Sequence, residues 1–512
     1  MRELLRKGDT CFAVAEGRSG VIIDADDYYR DIADAIERAR SHVLIAGWQL
    51  ESGVLLRRLP EDEGRAKTLR EVIRHACEHN PELRVYILAW DWASIYTFDR
   101  EWRTREKLKK AGLGQLQFRY DATHPQGASH HDKLVVIDGH TAWAGGIDIC
   151  EHRWDRRTHL DEHPLRLDGD GSSYLPYHDV QAVVRGPVVH ELVEHFVERW
   201  AVAGGEALVL VPEPEPDEAP HCHIDLGRTL VGVSRTRGAM VVPLTEPVRE
   251  IRRLFTEALL SATHLIYIES QYITSRAFTQ ALIERLKDGS RSTLEIVIIM
   301  PARLEGRMEK ATIVGPQRLV LSALTQTAKE HGHSLGVFAP LTPTQARAHT
   351  QDQEITCSTY VHSKLMIVDD RFLTIGSANT TNRSMGLDSE LNLAWDCATS
   401  DGELERGIRA LRISLLAEHV RLSPEQAKIE HFEANGLCEK LRTWTHHEIP
   451  PIEELRFDDT TEQNLIDELL ASLGDPERAS LAEGVFEEVV DHPDGILAKM
   501  LTALEDVTGS RP

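Results

Sequence analysis

The sequence predicts an α/β protein made of two similar halves related by an approximate twofold, with one active site at the interface between them. The first observation behind this is an internal repeat. ARSHVLIAGWQLES (39–52) follows the helical stretch DDYYRDIADAIER, and SATHLIYIESQYITS (261–275) follows REIRRLFTEALL, so that His42 and Gln49 align with His264 and Gln271 without a gap. The second is that each copy continues through a helical segment to another apolar strand, RVYILAW from Arg84 and LEIVIIM from Leu294. The third is that each copy then reaches a His and Lys motif, a short strand, a Gly-containing turn and a further strand.

Continuous apolar runs of this length, spaced by helical patterns, are expected as buried strands of a mostly parallel sheet fed by crossover helices. The first half is expected over 1–205 and the second over 236–420, separated by a linker over 206–235. The alternating Pro and acid of VPEPEPDEAPHCH (211–223) mark that linker, because they can neither hold a helix nor pair as a central strand. After the repeat ends, patches such as NLIDELLASL and ILAKMLTALEDV predict an acidic helical C-terminal appendage over 421–512.

Hydrophobic content of 41% and charged content of 27% suit a globular chain, and no apolar run is long enough to span a bilayer. The N-terminus has basic residues but no apolar core before a small-residue cleavage site, so no secretory leader is expected and the default location is cytoplasmic, peripheral to any membrane. Seven cysteines without CxxC spacing are expected as reduced thiols. With 58 Lys and Arg against 82 Asp and Glu, the net charge of −24 weighs against nucleic acid as a partner. It would also repel an anionic membrane, so lipid contact would need a local apolar or basic face.

SHHDKLVVIDGHTAWAGGIDI carries His131, Lys133 and Asp138 in the spacing HxKxxxxD, and VHSKLMIVDDRFLTIGSAN repeats it with His362, Lys364 and Asp369. On a strand, residues two apart share a face, so each His and Lys can point into one pocket. A lone HxK is ordinarily a solvated surface pair. Two copies, each followed seven residues later by Gly145 or Gly376, argue for chemistry.

This duplicated motif with a following GG or GS resembles the phospholipase D superfamily. GGIDI, HRWD, PYHDVQAVVRGP, IYIESQYIT and IGSANTTNRSMGLDSEL are similar to the catalytic core of eukaryotic-type phospholipases D, and the resemblance covers roughly residues 30 to 420. It implies a phospholipase D-like sandwich with no room for lipid-binding modules of the PX and PH kind. It also implies a metal-free phosphodiesterase with no cofactor, which works through a covalent phosphohistidine. His131 is then the nucleophile and His362 the general acid and base, although the two roles are exchangeable at this level. Lys133 and Lys364, helped by Asn379 and Ser377, would neutralise the phosphoryl oxygens. Asp148 and Gly146 stand in the first motif where the second has Asn379 and Ser377, an asymmetry that suggests different jobs for the two halves.

Each imidazole also needs a carboxylate on its other nitrogen, and Asp179 and Glu390, at matching strand starts, are the candidates. Asp138 and Asp369 count with the catalytic motif, yet their place at strand ends better suits holding the next turn than touching substrate. Gln49 and Gln271 fit either a pocket wall or a turn cap. His130 is set aside because adjacent strand residues face opposite ways. HELVEH (190–195) has its histidines five apart, unlike a zinc-protease motif, and His221 and His223 read as a solvated loop, so no metal cluster is expected. The expected substrate is a glycerophospholipid at a membrane surface, with water or an alcohol as acceptor. A phosphatidyltransferase of the cardiolipin-synthase kind is the nearest alternative. A nuclease is disfavoured by charge, and a non-catalytic scaffold by the completeness of both motifs.

Overall fold

The computed structural model describes residues 3–91, 101, 103–215, 220–240, 245–304, 307–342, 358–399, 402–423, 426, 430, 432–457 and 475–478. The first half runs β1 (Ala13–Ile23), α1 (Ala25–Arg38), β2 (His42–Gly47), α2 (Leu69–His79), β3 (Arg84–Trp90), α3 (Thr104–Ala111), β4 (Leu116–Asp121), β5 (Leu134–Ile137), β6 (Thr141–Gly145), β7 (Tyr177–His178), β8 (Val180–Arg185) and α4 (Val188–Val202). The second half runs β9 (Ile224–Arg237), β10 (Val248–Arg249), α5 (Glu250–Ser261), β11 (Leu265–Glu269), α6 (Arg276–Lys287), β12 (Glu295–Ile299), α7 (Arg307–Glu330), β13 (Ser334–Pro340), β14 (Tyr360–Val361), β15 (Leu365–Val368), β16 (Phe372–Gly376), α8 (Asn382–Gly386), β17 (Glu390–Asp396) and α9 (Glu403–His419). It is followed by α10 (Leu437–Thr445) and β18 (Ile452–Glu454).

Fifteen strands form one continuous ladder in the order β18-β13-β12-β11-β15-β16-β17-β9-β1-β8-β6-β5-β2-β3-β4, with β10 pairing β9 beside it, and β7 and β14 form a separate two-stranded sheet. Read outward from the antiparallel β1–β9 pair, the order is the same in both directions as far as β4 and β13, with β18 added beyond β13, so the repeat in the sequence is a twofold in the sheet. The expectation of a mostly parallel sheet needs correction. Within the large sheet only β2-β3-β4 and β11-β12-β13 pair in parallel, and the strands nearer the twofold are antiparallel. The reason is connection length. The helices α2 and α6 give crossovers long enough for parallel return, whereas β5 and β6 are joined by a tight turn that permits only a hairpin.

Helical patterning accounts for the outer layers. Tyr28, Tyr29, Ile32, Ala33 and Ile36 line one face of α1 and are buried with Leu69, Val72 and Ile73 of α2 in a first-half core. Thr68 starts α2 through a reciprocal cap, accepting from Glu71 N while Glu71 accepts from Thr68 N. The matching core of the second half lies under α5, α6 and α7. A third core draws on both halves, with Val136 and Val184 packed in one cluster with Ile367, Leu393 and Trp395.

The expected linker is shorter than 206–235. Strand β9 begins at Ile224 and pairs with both β1 and β17, because Val231 and Val233 give it apolar residues for the shared core once the prolines are past. The expected appendage is in part built into the second half: β18 pairs antiparallel with β13, and Leu437, Cys438 and Leu441 of α10 are buried. The two helical patches NLIDELLASL and ILAKMLTALEDV lie outside the described residues. Among the described residues no helix is long and apolar enough to cross a membrane.

Candidate active site

The HxK stretches do not lie on strands, as the spacing suggested, but on extended chain just ahead of β5 and β15. Each is held there by main chain of the opposite half. His131 N donates to Ser389 O at 2.8 Å, and His362 N donates to His178 O at 2.8 Å, beside the parallel β7–β14 pairing. The result keeps His and Lys together: Lys133 Nζ donates to His131 O at 2.8 Å, and Lys364 Nζ donates to His362 O.

The same crossing governs the rings. His131 Nδ1 lies 3.0 Å from Glu390 Oε2 and 3.0 Å from Ser377 O, both in the second half. A main-chain carbonyl can only accept, so Nδ1 carries the proton and Nε2 keeps a free lone pair. His362 Nδ1 lies 2.6 Å from Asp179 Oδ2 in the first half. Glu390 is steadied in turn by the hydroxyls of Ser377 and Ser384.

Burial sets the electrostatics. It pushes His131 down to about 3, with Lys133 and Lys364 pressing in the same direction. Burial and then Lys364 hold His362 well below the usual imidazole range. Burial also raises Asp179 to about 6 and Glu390 well above the usual carboxylate range. Lys364 falls to about 7, chiefly by burial, with Lys133 adding repulsion against the pull of Asp179.

The two lysines differ as the asymmetry of the motifs foreshadowed. Lys133 forms a buried ion pair with Asp148 at 3.0 Å. At the matching position the second half has Asn379, and Lys364 reaches the neutral amide of Gln271 at 3.4 Å. Asn379 Oδ1 is buried with no hydrogen bond. Gln271 is therefore a pocket residue, whereas Gln49 bonds to Glu51 at 2.7 Å.

One cation escaped the sequence reading. Arg153 sits 5.1 Å over the Tyr177 ring and adds to the positive field that lowers His362 and Lys364. It lies in the HRWD segment, but it has no counterpart in the second repeat, so comparison of the two halves did not single it out.

Asp138 and Asp369 hold turns, the role that their place at strand ends favoured. Asp138 accepts from the main-chain N–H groups of Arg40, Ser41 and His42 at 2.7, 2.8 and 2.9 Å. Asp369 does the same for Thr263, His264 and Leu265 at 2.7, 2.8 and 2.9 Å. Both tie the hairpin of the motif to the start of the neighbouring strand, and both sit at positive φ, 53° and 56°. His130 points to Asp121 at 3.1 Å, away from His131, and His195 of HELVEH is taken by Asp132 at 2.8 Å. His223 is more ordered than a solvated loop, since its Nδ1 accepts from Ile23 N at 3.1 Å.

The two halves match two family models, described as Phospholipase D over residues 35–225 and as Cardiolipin synthase, PLD-like domain, over residues 255–411. Each match contains one complete HxKxxxxD motif. The chain belongs to the phospholipase D superfamily. Among its relatives is Phospholipase D A of Dictyostelium discoideum, 25% identical over 477 residues, with 81% of this chain and 36% of that protein covered. Another is Phospholipase D1 of Schizosaccharomyces pombe, 23% identical, with 83% of this chain and 37% of that protein covered. The chain thus spans a little over a third of the length of these two curated phospholipase D relatives. A crystal structure of phosphatidylserine synthase from Haemophilus influenzae aligns over 83% of this chain and 92% of that one, at 13% identity and a TM-score of 0.47.

The role of the motif aspartates can be separated from chemistry. Asp138→Ala strands three main-chain donors and is expected to cost about 2–4 kcal/mol of stability, read as a fall in Tm, while the folded fraction retains kcat within about tenfold. A loss of several orders of magnitude in kcat at unchanged Tm would return Asp138 to the catalytic group.

Proposed function

We propose that the chain is a phospholipase D-type phosphodiesterase that acts on glycerophospholipids at a membrane surface through a phosphohistidine on His131. The observation that carries this reading is the pair of imidazoles, each braced at Nδ1 by a carboxylate of the opposite half and flanked by Lys133 and Lys364. Support also comes from relatives named phospholipase D, which this chain matches over most of its own length.

In this reading Nε2 of His131 attacks phosphorus in line, and the bond to the head-group oxygen breaks. That oxygen takes a proton from His362, which forms a shared-proton pair with Asp179. Burial first, and then repulsion from Lys364, Arg153 and Lys133, keep a proton off His362. An arriving phosphodiester anion offsets that repulsion and lets the ring hold one. Lys133, Lys364 and Arg153 balance the charge on the non-bridging oxygens. Water or an alcohol, deprotonated by His362, then displaces His131 and gives phosphatidic acid or a phosphatidylalcohol. A transferase emphasis draws support from the second half, whose matching model carries a cardiolipin synthase description. Nucleic acid is a poorer substrate for a chain of net charge −24.

Acid quench during turnover of zwitterionic phospholipid should recover a phosphatidylated peptide containing His131, and short-chain alcohol should divert product to the phosphatidylalcohol in proportion to its concentration. An adduct on His362 would exchange the two roles. Turnover of DNA or RNA with none across a phospholipid panel would remove the lipid reading and leave the two-motif chemistry.

The pH profile supplies a second check. Lys364 must be charged to meet the phosphate, and its pKa of about 7 means that charge is lost as pH rises through neutrality. On a soluble phosphodiester, kcat/KM should fall on an alkaline limb near that value, and Lys364→Arg should move the limb upward because guanidinium stays charged. A limb that Lys364→Arg leaves in place belongs to another group.

A further inference from the structure

We propose that Asp24, His159, His178 and Glu418 form a closed four-ligand site for one divalent cation of the zinc type, buried where the two halves meet beside the active site. Sequence reading found no such cluster because its members come from the turn before α1, the loop after β6, strand β7 and the end of α9. Their ligand atoms converge. His159 Nε2 lies 3.0 Å from Glu418 Oε1 and 3.4 Å from Asp24 Oδ2, and His178 Nδ1 lies 2.8 Å from Glu418 Oε1 and 3.1 Å from Asp24 Oδ1. Four ligands held at about 2.0–2.2 Å on a tetrahedron sit roughly 3.3–3.6 Å apart, so a small outward relaxation seats the ion. The two imidazole rings already stand nearly perpendicular, at 84°, with centroids 5.6 Å apart.

Two atoms aimed into this space lack a well-aligned hydrogen bond. They are Asp24 Oδ2 and His178 Nδ1, buried in residues 1% and 0% exposed, and their near contacts are ion pairs with other members of the cluster. In a protein interior that omission is costly, and a cation at the centre of the four groups would remove it. The outer nitrogens are oriented in the manner of metal-bound histidines. His159 Nδ1 lies 3.0 Å from Asp155, which Arg166 holds at 3.1 Å. His178 Nε2 lies 3.0 Å from Glu269, which also accepts from His419 and Ser363 at 2.8 and 2.6 Å.

Charge points the same way. Asp24 and Glu418 would neutralise a dication, with the other oxygen of Glu418 paired to Arg157 at 2.5 Å, and ligation would displace the protons of both imidazoles. Two nitrogen and two oxygen donors, all from side chains, suit a structural zinc-type ion. No chemical step passes through it. Its effect is positional: it ties Asp24 and His178 of the first half to Glu418 of the second, and the carbonyl of His178 holds the main chain of His362. This proposal stands whether or not the substrate is a phospholipid.

The test uses the full chain, stripped with a strong chelator and titrated with Zn2+ and Co2+. It should bind about one equivalent, gain Tm on loading, and show with Co2+ the intense visible bands of a tetrahedral site. His159→Ala and the conservative Glu418→Gln should each weaken binding by about tenfold or more. His223→Ala, in the separate surface group of Asp27, His221 and His223, should keep the full equivalent. A folded chain that takes up neither ion, or an equivalent that survives both ligand substitutions or is lost with His223→Ala, would overturn the site. The four residues would then be a metal-free network of ion pairs.

Discussion

Each active-site imidazole is held by a carboxylate that belongs to the other half of the molecule, and the rest of the structure serves that crossing. His131 depends on Glu390, and His362 on Asp179. Neither half contains a complete site, so relative placement of the halves matters as much as either motif. The placement comes from the sheet, which runs without interruption through the β1–β9 pair, and from the core that draws side chains from both repeats. Main-chain bonds from His131 to Ser389 and from His362 to His178 then fix each ring at close range.

Symmetry of fold accompanies asymmetry of charge. The first motif pairs its lysine with Asp148 inside the protein, a nearly neutral unit. The second leaves Lys364 beside the amide of Gln271, where burial lowers its proton affinity to the neutral range. Arg153 enlarges the imbalance from the first half. Two chemically equivalent histidines placed in such a field cannot behave alike. The Ser377 carbonyl holds the proton of His131 on Nδ1 and leaves Nε2 its lone pair, while His362 Nδ1 faces a carboxylate that burial raises to about 6.

Much of this was readable in the sequence, because a duplicated fold writes its constraints twice. The HxKxxxxD repeat located both histidines and lysines, and matching strand starts picked out Asp179 and Glu390. Their crossing was not readable, since partner choice depends on how β7 and β14 pair across the halves. Strand β9 was masked by the prolines just before it, although Val231 and Val233 carry its alternation. Asp138 and Asp369 sit at two equivalent turns, and their place at strand ends already favoured the turn-holding role their main-chain contacts show. Arg153 and the Asp24, His159, His178 and Glu418 cluster have no repeated counterparts, and the cluster is assembled only by tertiary packing.

The most direct measurement of the crossed arrangement is rapid-quench kinetics of the enzyme adduct in Glu390→Gln and Asp179→Asn, with a substrate whose leaving group needs no protonation. Glu390→Gln should slow formation of the adduct by about a hundredfold or more, because it weakens the ring that attacks. Asp179→Asn should leave formation nearly unchanged and slow its breakdown, so that adduct accumulates. Equal effects of both variants on one phase, or the reverse assignment, would contradict the account.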